Sequence, residues 1–207
     1  TTVGGQAREL GWIRANTWRF ADYRAAYEEL VVKKTAVYSF VVPTRVACIA
    51  ASAPAEVAGE LAVFARHAGI AFQIADDLLN LRDDVAAYGK EALGDLWEGK
   101  RTLMLLHALH AERDPAVVRD AVAILGRPRP GPDPKAEVRT EAKTFADVRA
   151  IAALIERHDG AGYARGVALE HVRAAEHALA RCRGALAAGA ARDFLFALPA
   201  YVVERLR

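Results

Sequence analysis

The stretch Phe72-Gln73-Ile74-Ala75-Asp76-Asp77-Leu78-Leu79-Asn80-Leu81 sets two adjacent carboxylates in apolar surroundings. On a helix, Gln73, Asp76, Asp77 and Asn80 lie three and four residues apart and share one stripe. Phe72, Ile74, Leu78, Leu79 and Leu81 flank that stripe with apolar surface. Neighbouring carboxylates repel each other and resist desolvation, so such a pair belongs at water or at a cation. Oxygen donors on one face suit Mg2+, which keeps several waters and takes a phosphate as co-ligand. The plain alternative is the solvated acidic face of an amphipathic helix.

Cations lie on both sides of this stretch. Lys90 follows in Tyr88-Gly89-Lys90, and Lys100 in Gly99-Lys100-Arg101-Thr102. Upstream, Lys34-Thr35 sets a cation beside a hydroxyl. Only six of the 28 basic residues are Lys, so two so soon after the acidic pair are notable. A lysine brings a compact charge on a flexible stem to a phosphate oxygen. Cations together with metal-binding carboxylates are what a diphosphate needs on its two sides.

The rest of the 207 residues reads as helix. Ala, Arg and Leu are the commonest residues; with Glu they hold a helix cheaply, while Gly and Pro, which break it, are modest. Apolar spacing predicts helices over Gln6–Asn16, Ala21–Val42, Thr44–Ser52 and Pro54–Leu81, with Pro43 ending or kinking the second. Further helices are expected over Asp95–Glu112, after Asp114-Pro115, and over Glu137–His158, Gly162–Ala188 and Arg192–Arg207. Tyr88-Gly89-Lys90 with Gly94 reads as a loop, and residues 126–135 as an exposed Pro/Gly-rich connection. No alternating strand pattern survives, so the expectation is a single all-α domain over 1–207.

A net charge of +2 gives no reason to expect a nucleic-acid partner. The most apolar run, Ala36–Ala53, is interrupted by Pro43 and Arg45 and is too short to span a bilayer. Cys48 and Cys182 lie in apolar stretches and read as buried, reduced thiols of a cytoplasmic protein. The six His show no zinc spacing and are read as structural. Trp12, Trp18 and Trp97 are expected as core or interface anchors.

The order of motifs resembles the second aspartate-rich region of the trans-isoprenyl diphosphate synthases. The matching residues are Phe72-Gln73-x-x-Asp76-Asp77-x-x-Asn80, Tyr88-Gly89-Lys90, and Gly94-Asp95-Leu96-x-x-Gly99-Lys100-Arg101-Thr102. Gly5-Gln6 is similar to that family's Gly-Gln helix start, and Lys34-Thr35 to its Lys-Thr pair. The likeness spans residues 4 to about 110; beyond it the chain matches only as Ala-rich helices.

The resemblance implies a helical bundle around a central cavity, usually a homodimer. It implies a Mg2+-dependent prenyltransferase that joins isopentenyl diphosphate to an allylic diphosphate such as geranyl or farnesyl diphosphate. Carried over, Asp76 is a Mg2+ ligand and Asp77 ligates through water or braces the site. Asn80 stands where the fuller motif has a third Asp and can still coordinate through its carbonyl. Lys34, Lys90 and Lys100 are expected at the allylic diphosphate, with Thr35 and Gln73 near the reacting carbons. Phe72 is expected against the isopentenyl group, and Gln6 and Tyr38 along the prenyl cavity. The family's first aspartate-rich motif has no counterpart in these residues. The expectation is therefore the C-terminal portion of a longer synthase, unable to catalyse alone. A terpene cyclase of related fold and a non-catalytic partner subunit are the competing readings.

Overall fold

A computed structural model describes residues 2–81, 93–130 and 142–205, and every regular element among them is a helix. Helix α1 covers Thr2–Arg14. Helix α2, Tyr23–Val31, runs directly into a π-helical segment, Val32–Val41, and then into α3, Val42–Ala50. At Pro43, where an end or a kink is expected, the helix continues but changes from π to α. Pro43 sits in the first turn of α3, just after the Val42 amide bonds to the Val37 carbonyl, five residues back. The ladder changes register there, so the hydrogen bond that proline cannot donate is lost at a point of change.

Helix α4, Ala55–Asn80, follows Pro54 as expected and holds the acidic stretch near its C-terminal end. The helix expected over Asp95–Glu112 is two helices: α5, Gly94–Glu98, and α6, Leu103–Ala111. Gly99 divides them with φ +66°. Its amide bonds to the Leu96 carbonyl and the Lys100 amide to the Asp95 carbonyl, the paired bonds of a Schellman stop. Helix α7, Pro115–Gly126, is capped by Asp114, whose Oδ1 accepts from the Ala116 amide at 2.8 Å. Helix α8, Phe145–Arg157, starts at a reciprocal capping box of Thr144 and Asp147, while residues 137–141 of the helix expected from Glu137 and residues 131–135 of the Pro/Gly-rich connection lie outside the described residues. Helix α9, Gly160–Cys182, a 3-10 turn, Arg183–Ala185, and α10, Ala190–Arg205, complete the described chain. Among the described residues no helix is long and apolar enough to cross a membrane.

The chain divides into two compact units. The first comprises the residues up to Ala7, Glu28–Asp76 and Arg165 onward. Its core packs Cys48, Leu61, Phe64, Ala65 and Ala68 against Ala175, Ala178, Leu179 and Cys182. The alanines let α4 and α9 approach closely, and both thiols are buried and unbonded. Burial pushes the Cys182 thiol up, which suits an inert packing role. Tyr38, Val42, Val46 and Ile49, at helical spacing, are nonetheless exposed, forming an apolar stripe along the π segment and α3.

The second unit comprises Arg8–Tyr27 and Asp77–Ala164. Helix α6 is largely apolar and mostly buried, with Leu103, Met104, Leu105 and Leu106 inside and α8 packed on it through Val148, Ile151, Leu154 and Ile155. Arg101, only 2 % exposed, ties the unit together. Its Nε donates to the Thr17 carbonyl, Nη1 to the Gly99 carbonyl and Nη2 to the Trp12 carbonyl, while its guanidinium lies 3.9 Å over the Trp18 ring. Burial lowers its pKa to about 10.

Candidate functional site

In the first unit, Lys34 and Thr35 lie within the π-helical segment. Such wide turns recur at functional positions because they rotate side chains off the ordinary helical stripe. The Thr35 hydroxyl donates to Gln73 Oε1 at 2.7 Å. That bond connects the Lys-Thr pair to the part of α4 that carries Asp76, three residues further on. Phe72, half-buried, packs its ring against Phe40 with centroids 5.6 Å apart and planes tilted 55°. Asp76 is half-buried. Gln6 on α1 is exposed, and Tyr38 is 70 % exposed.

The second unit takes over α4 from Asp77. Asp77 is buried, and Tyr27, buried too, donates its hydroxyl to Asp77 Oδ2 at 2.8 Å. Burial, together with the negative charges of Asp77, Asp95 and Glu9, holds the Tyr27 pKa well above its ordinary value, so the hydroxyl stays a donor. Asn80 Oδ1 accepts from the Asp95 amide at 2.9 Å, and the Asn80 carbonyl from the Leu93 amide at 3.1 Å. Leu93, the residue preceding α5, has no side-chain oxygen, so Asn80 supplies from a distance the acceptor that a capping residue would give.

Lys100 is placed by the Schellman stop. The turn at Gly99 folds the chain back over α5, and Lys100 Nζ meets Asp95 Oδ1 at 2.6 Å and Glu98 Oε2 at 3.1 Å. Burial opposes its charge, but the hydrogen bonds to Asp95 and Glu98 prevail and raise its pKa, so it remains an ammonium. Lys90, with Tyr88 and Gly89, lies outside the described residues.

Comparison with known proteins gives the arrangement its context. A sequence profile described as Polyprenyl synthetase matches residues 1–129. The chain belongs to the polyprenyl synthetase family. It is 31 % identical over 201 residues to a short chain isoprenyl diphosphate synthase of Methanothermobacter thermautotrophicus, a match covering 97 % of this chain and 54 % of that protein. A decaprenyl diphosphate synthase from Rhodobacter capsulatus superposes with a TM-score of 0.77 and 27 % identity, covering 100 % of this chain and 56 % of that one. A geranylgeranyl pyrophosphate synthase from Corynebacterium glutamicum, complexed with isoprenyl diphosphate and magnesium, gives a TM-score of 0.77 at 22 % identity, covering 99 % of this chain and 52 % of that one. The chain thus spans about half the length of these relatives.

Mg2+ is the metal that the resemblance implies, and magnesium is bound in the Corynebacterium glutamicum structure. Among the described residues no three His, Cys, Asp or Glu side chains gather as a metal cage. Mg2+ does not need one: one or two carboxylates, water and a substrate phosphate suffice. Asp76 is an oxygen donor of that kind on a partly open stripe. The described residues fit a metal shared with a diphosphate, and among them none form a cage that would hold one by protein alone.

Sequence reasoning left out Tyr27, Asp95 and the structural work of Arg101. Tyr27 stands next to Glu28 and Glu29 on an amphipathic helix and looks like any core aromatic. Asp95 opens a helix, where an acid is ordinary.

Proposed function

We propose that the protein is a Mg2+-dependent prenyltransferase, condensing isopentenyl diphosphate with an allylic diphosphate to give a longer linear isoprenyl diphosphate. The observation that supports this most is the 2.7 Å bond from Thr35 to Gln73, which joins a cation-hydroxyl pair to the helix carrying Asp76. Family membership supports it independently. Cytoplasmic residence and a homodimeric assembly belong to the same proposal, by likeness to the family.

In this reading the allylic C–O bond breaks and diphosphate leaves. The double bond of isopentenyl diphosphate attacks the allylic carbon, a C–C bond forms, and the proton lost from the resulting cation passes to the released diphosphate, the base that the first step supplies. Mg2+, when bound, would supply positive charge to the leaving diphosphate. Asp76 would hold the metal, and Asp77, braced by Tyr27, keeps the end of the stripe in place. Lys34 and Lys100 meet phosphate oxygens, as does Lys90. A lysine ammonium has three donors; for Lys100, Asp95 and Glu98 take two and orient the third. Fixed cations of this kind favour the ionised state because they need no reorganisation as charge develops. Thr35 and Gln73 lie near the reacting carbons, and Phe72 lies against the isopentenyl group. Gln6 and Tyr38 accompany the prenyl chain, with the apolar stripe of Val42 and Val46 continuing from Tyr38.

The test uses the full-length protein with Mg2+, isopentenyl diphosphate and geranyl or farnesyl diphosphate. A longer linear diphosphate is the expected product. Cyclised hydrocarbon from the allylic diphosphate alone would assign a terpene cyclase instead. No product unless a second synthase subunit is added would assign a partner subunit.

A further inference from the structure

Two glycines press on the π-helical segment, one on each side of Thr35. A Cβ on Gly5 would stand 2.7 Å from the Lys34 backbone nitrogen, 2.9 Å from its Cα and 3.0 Å from the Lys33 carbonyl carbon. A Cβ on Gly69 would stand 2.6 Å from Ala36 Cβ, 2.8 Å from Ala36 Cα and 3.1 Å from a Phe40 ring carbon. Both glycines are buried, and Ala36 is 0 % exposed. Neither contact leaves room for a methyl group without movement of backbone. By contrast, Gly4, Gly11 and Gly59 face open space.

The placement is specific. Lys34 and Ala36 are two residues apart and so face nearly opposite sides of the helix, with Thr35 between them. Gly5 bears on the Lys34 side and Gly69 on the Ala36 side. Gly69 also lies one turn before Gln73, on the same face of α4. The distance at which α4 meets Ala36 therefore sets the distance at which Gln73 meets Thr35. A bond of 2.7 Å tolerates little displacement, since alignment and strength fall off steeply beyond hydrogen-bond range.

We propose that Gly5 and Gly69 are positioning residues that seat the Lys34–Thr35 turn for diphosphate binding. The inference rests on the reading of Lys34 as a diphosphate contact. Because neither glycine touches substrate, each acts through the backbone that it lets approach.

The test is binding of inorganic pyrophosphate in the presence of Mg2+ to the full-length protein, measured by titration calorimetry, with thermal unfolding recorded for every variant. Gly69→Ala is expected to stay folded and to bind about tenfold or more weakly. Adding Ala36→Gly removes the facing methyl group at 2.6 Å but leaves the Ala36 Cα at 2.8 Å, so it is expected to recover part of the lost affinity and not all of it. Gly5→Ala should weaken binding likewise but gain nothing from Ala36→Gly, because its contact is with the backbone at Lys33 and Lys34. Native affinity in Gly69→Ala, or a loss that Ala36→Gly does not relieve, overturns the proposal. If Gly69→Ala does not fold, the double variant decides: folded and binding supports the proposal, unfolded or non-binding overturns it. Lys34→Ala is the control for the underlying site. Unchanged pyrophosphate affinity there contradicts the site assignment, whereas lost affinity there with normal Gly69→Ala contradicts only the role of the glycine.

Discussion

Tyr27 donates its hydroxyl to Asp77 Oδ2 at 2.8 Å, inside the second unit, with both residues buried. This makes the second carboxylate of the acidic pair an anchored group, while its neighbour Asp76 is half-buried. Adjacent acids on one helix thus have different surroundings.

Removing the donor tests the anchoring. Tyr27→Phe keeps the ring and deletes one charge-assisted bond to a buried carboxylate, which should cost about 2 kcal/mol of stability. Urea unfolding measures it. A midpoint equal to that of the native protein would show that Tyr27 contributes packing only.

Asn80 occupies the third position of the acidic motif and caps α5 through the Asp95 amide. Asn80→Ala should destabilise by about 1 kcal/mol, as loss of a helix cap does. Asn80→Asp keeps an acceptor oxygen and should lose less than Asn80→Ala, though it adds a carboxylate beside Asp95. Thermal unfolding of both variants checks the order, and an unchanged Asn80→Ala would remove the capping role.

The first unit also carries a pH dependence. His67 Nδ1 lies 2.8 Å from His171 Nδ1, a distance at which the two nitrogens share one proton. His171 Nε2 in turn lies 3.2 Å from Glu28 Oε1. Burial, the adjacent His171 and Arg66 hold the His67 pKa below its ordinary 6.5, against the pull of Glu28. The unfolded chain therefore binds the proton first as pH falls, and stability drops as pH goes below about 6.5. Denaturant unfolding between about pH 7.5 and about pH 5.5 should show this loss in the native protein and a smaller one in His67→Gln. Equal slopes in the two proteins would contradict it.

Much of this was legible from residue spacing, and the gaps have physical causes. The 3.6-residue stripe of Gln73, Asp76, Asp77 and Asn80 predicted α4 nearly to its ends, because Pro54 and the apolar flank agree with each other. The π-helical segment was not legible, since one extra residue per turn over so short a run barely changes the apolar pattern. Gly99 falls inside the expected helix, because apolar residues recur before it at Leu96-Trp97 and after it from Leu103, and only the positive φ reveals the stop. Thr144 and Asp147 do spell a capping box, yet the Ala- and Glu-containing residues before them masked it. In the candidate site, Lys34, Thr35 and Gln73 could be named from motif order, but the bond from Thr35 to Gln73 joins residues far apart in sequence. The same holds for Tyr27 with Asp77 and for Arg101, whose three carbonyl partners carry no side-chain signature at all.

The central claim is that Asp76 holds the metal at which the diphosphate is ionised. The most direct measurement is the steady-state turnover of Asp76→Asn in the full-length protein, at saturating Mg2+ with isopentenyl diphosphate and farnesyl diphosphate, alongside its thermal unfolding. Asp76→Asn keeps the side chain's size and removes one charge. The account predicts a fall in kcat of about a hundredfold or more with an unfolding temperature at or above the native value, since a repelling neighbour of Asp77 is gone. Turnover within about threefold of native in that variant would contradict it.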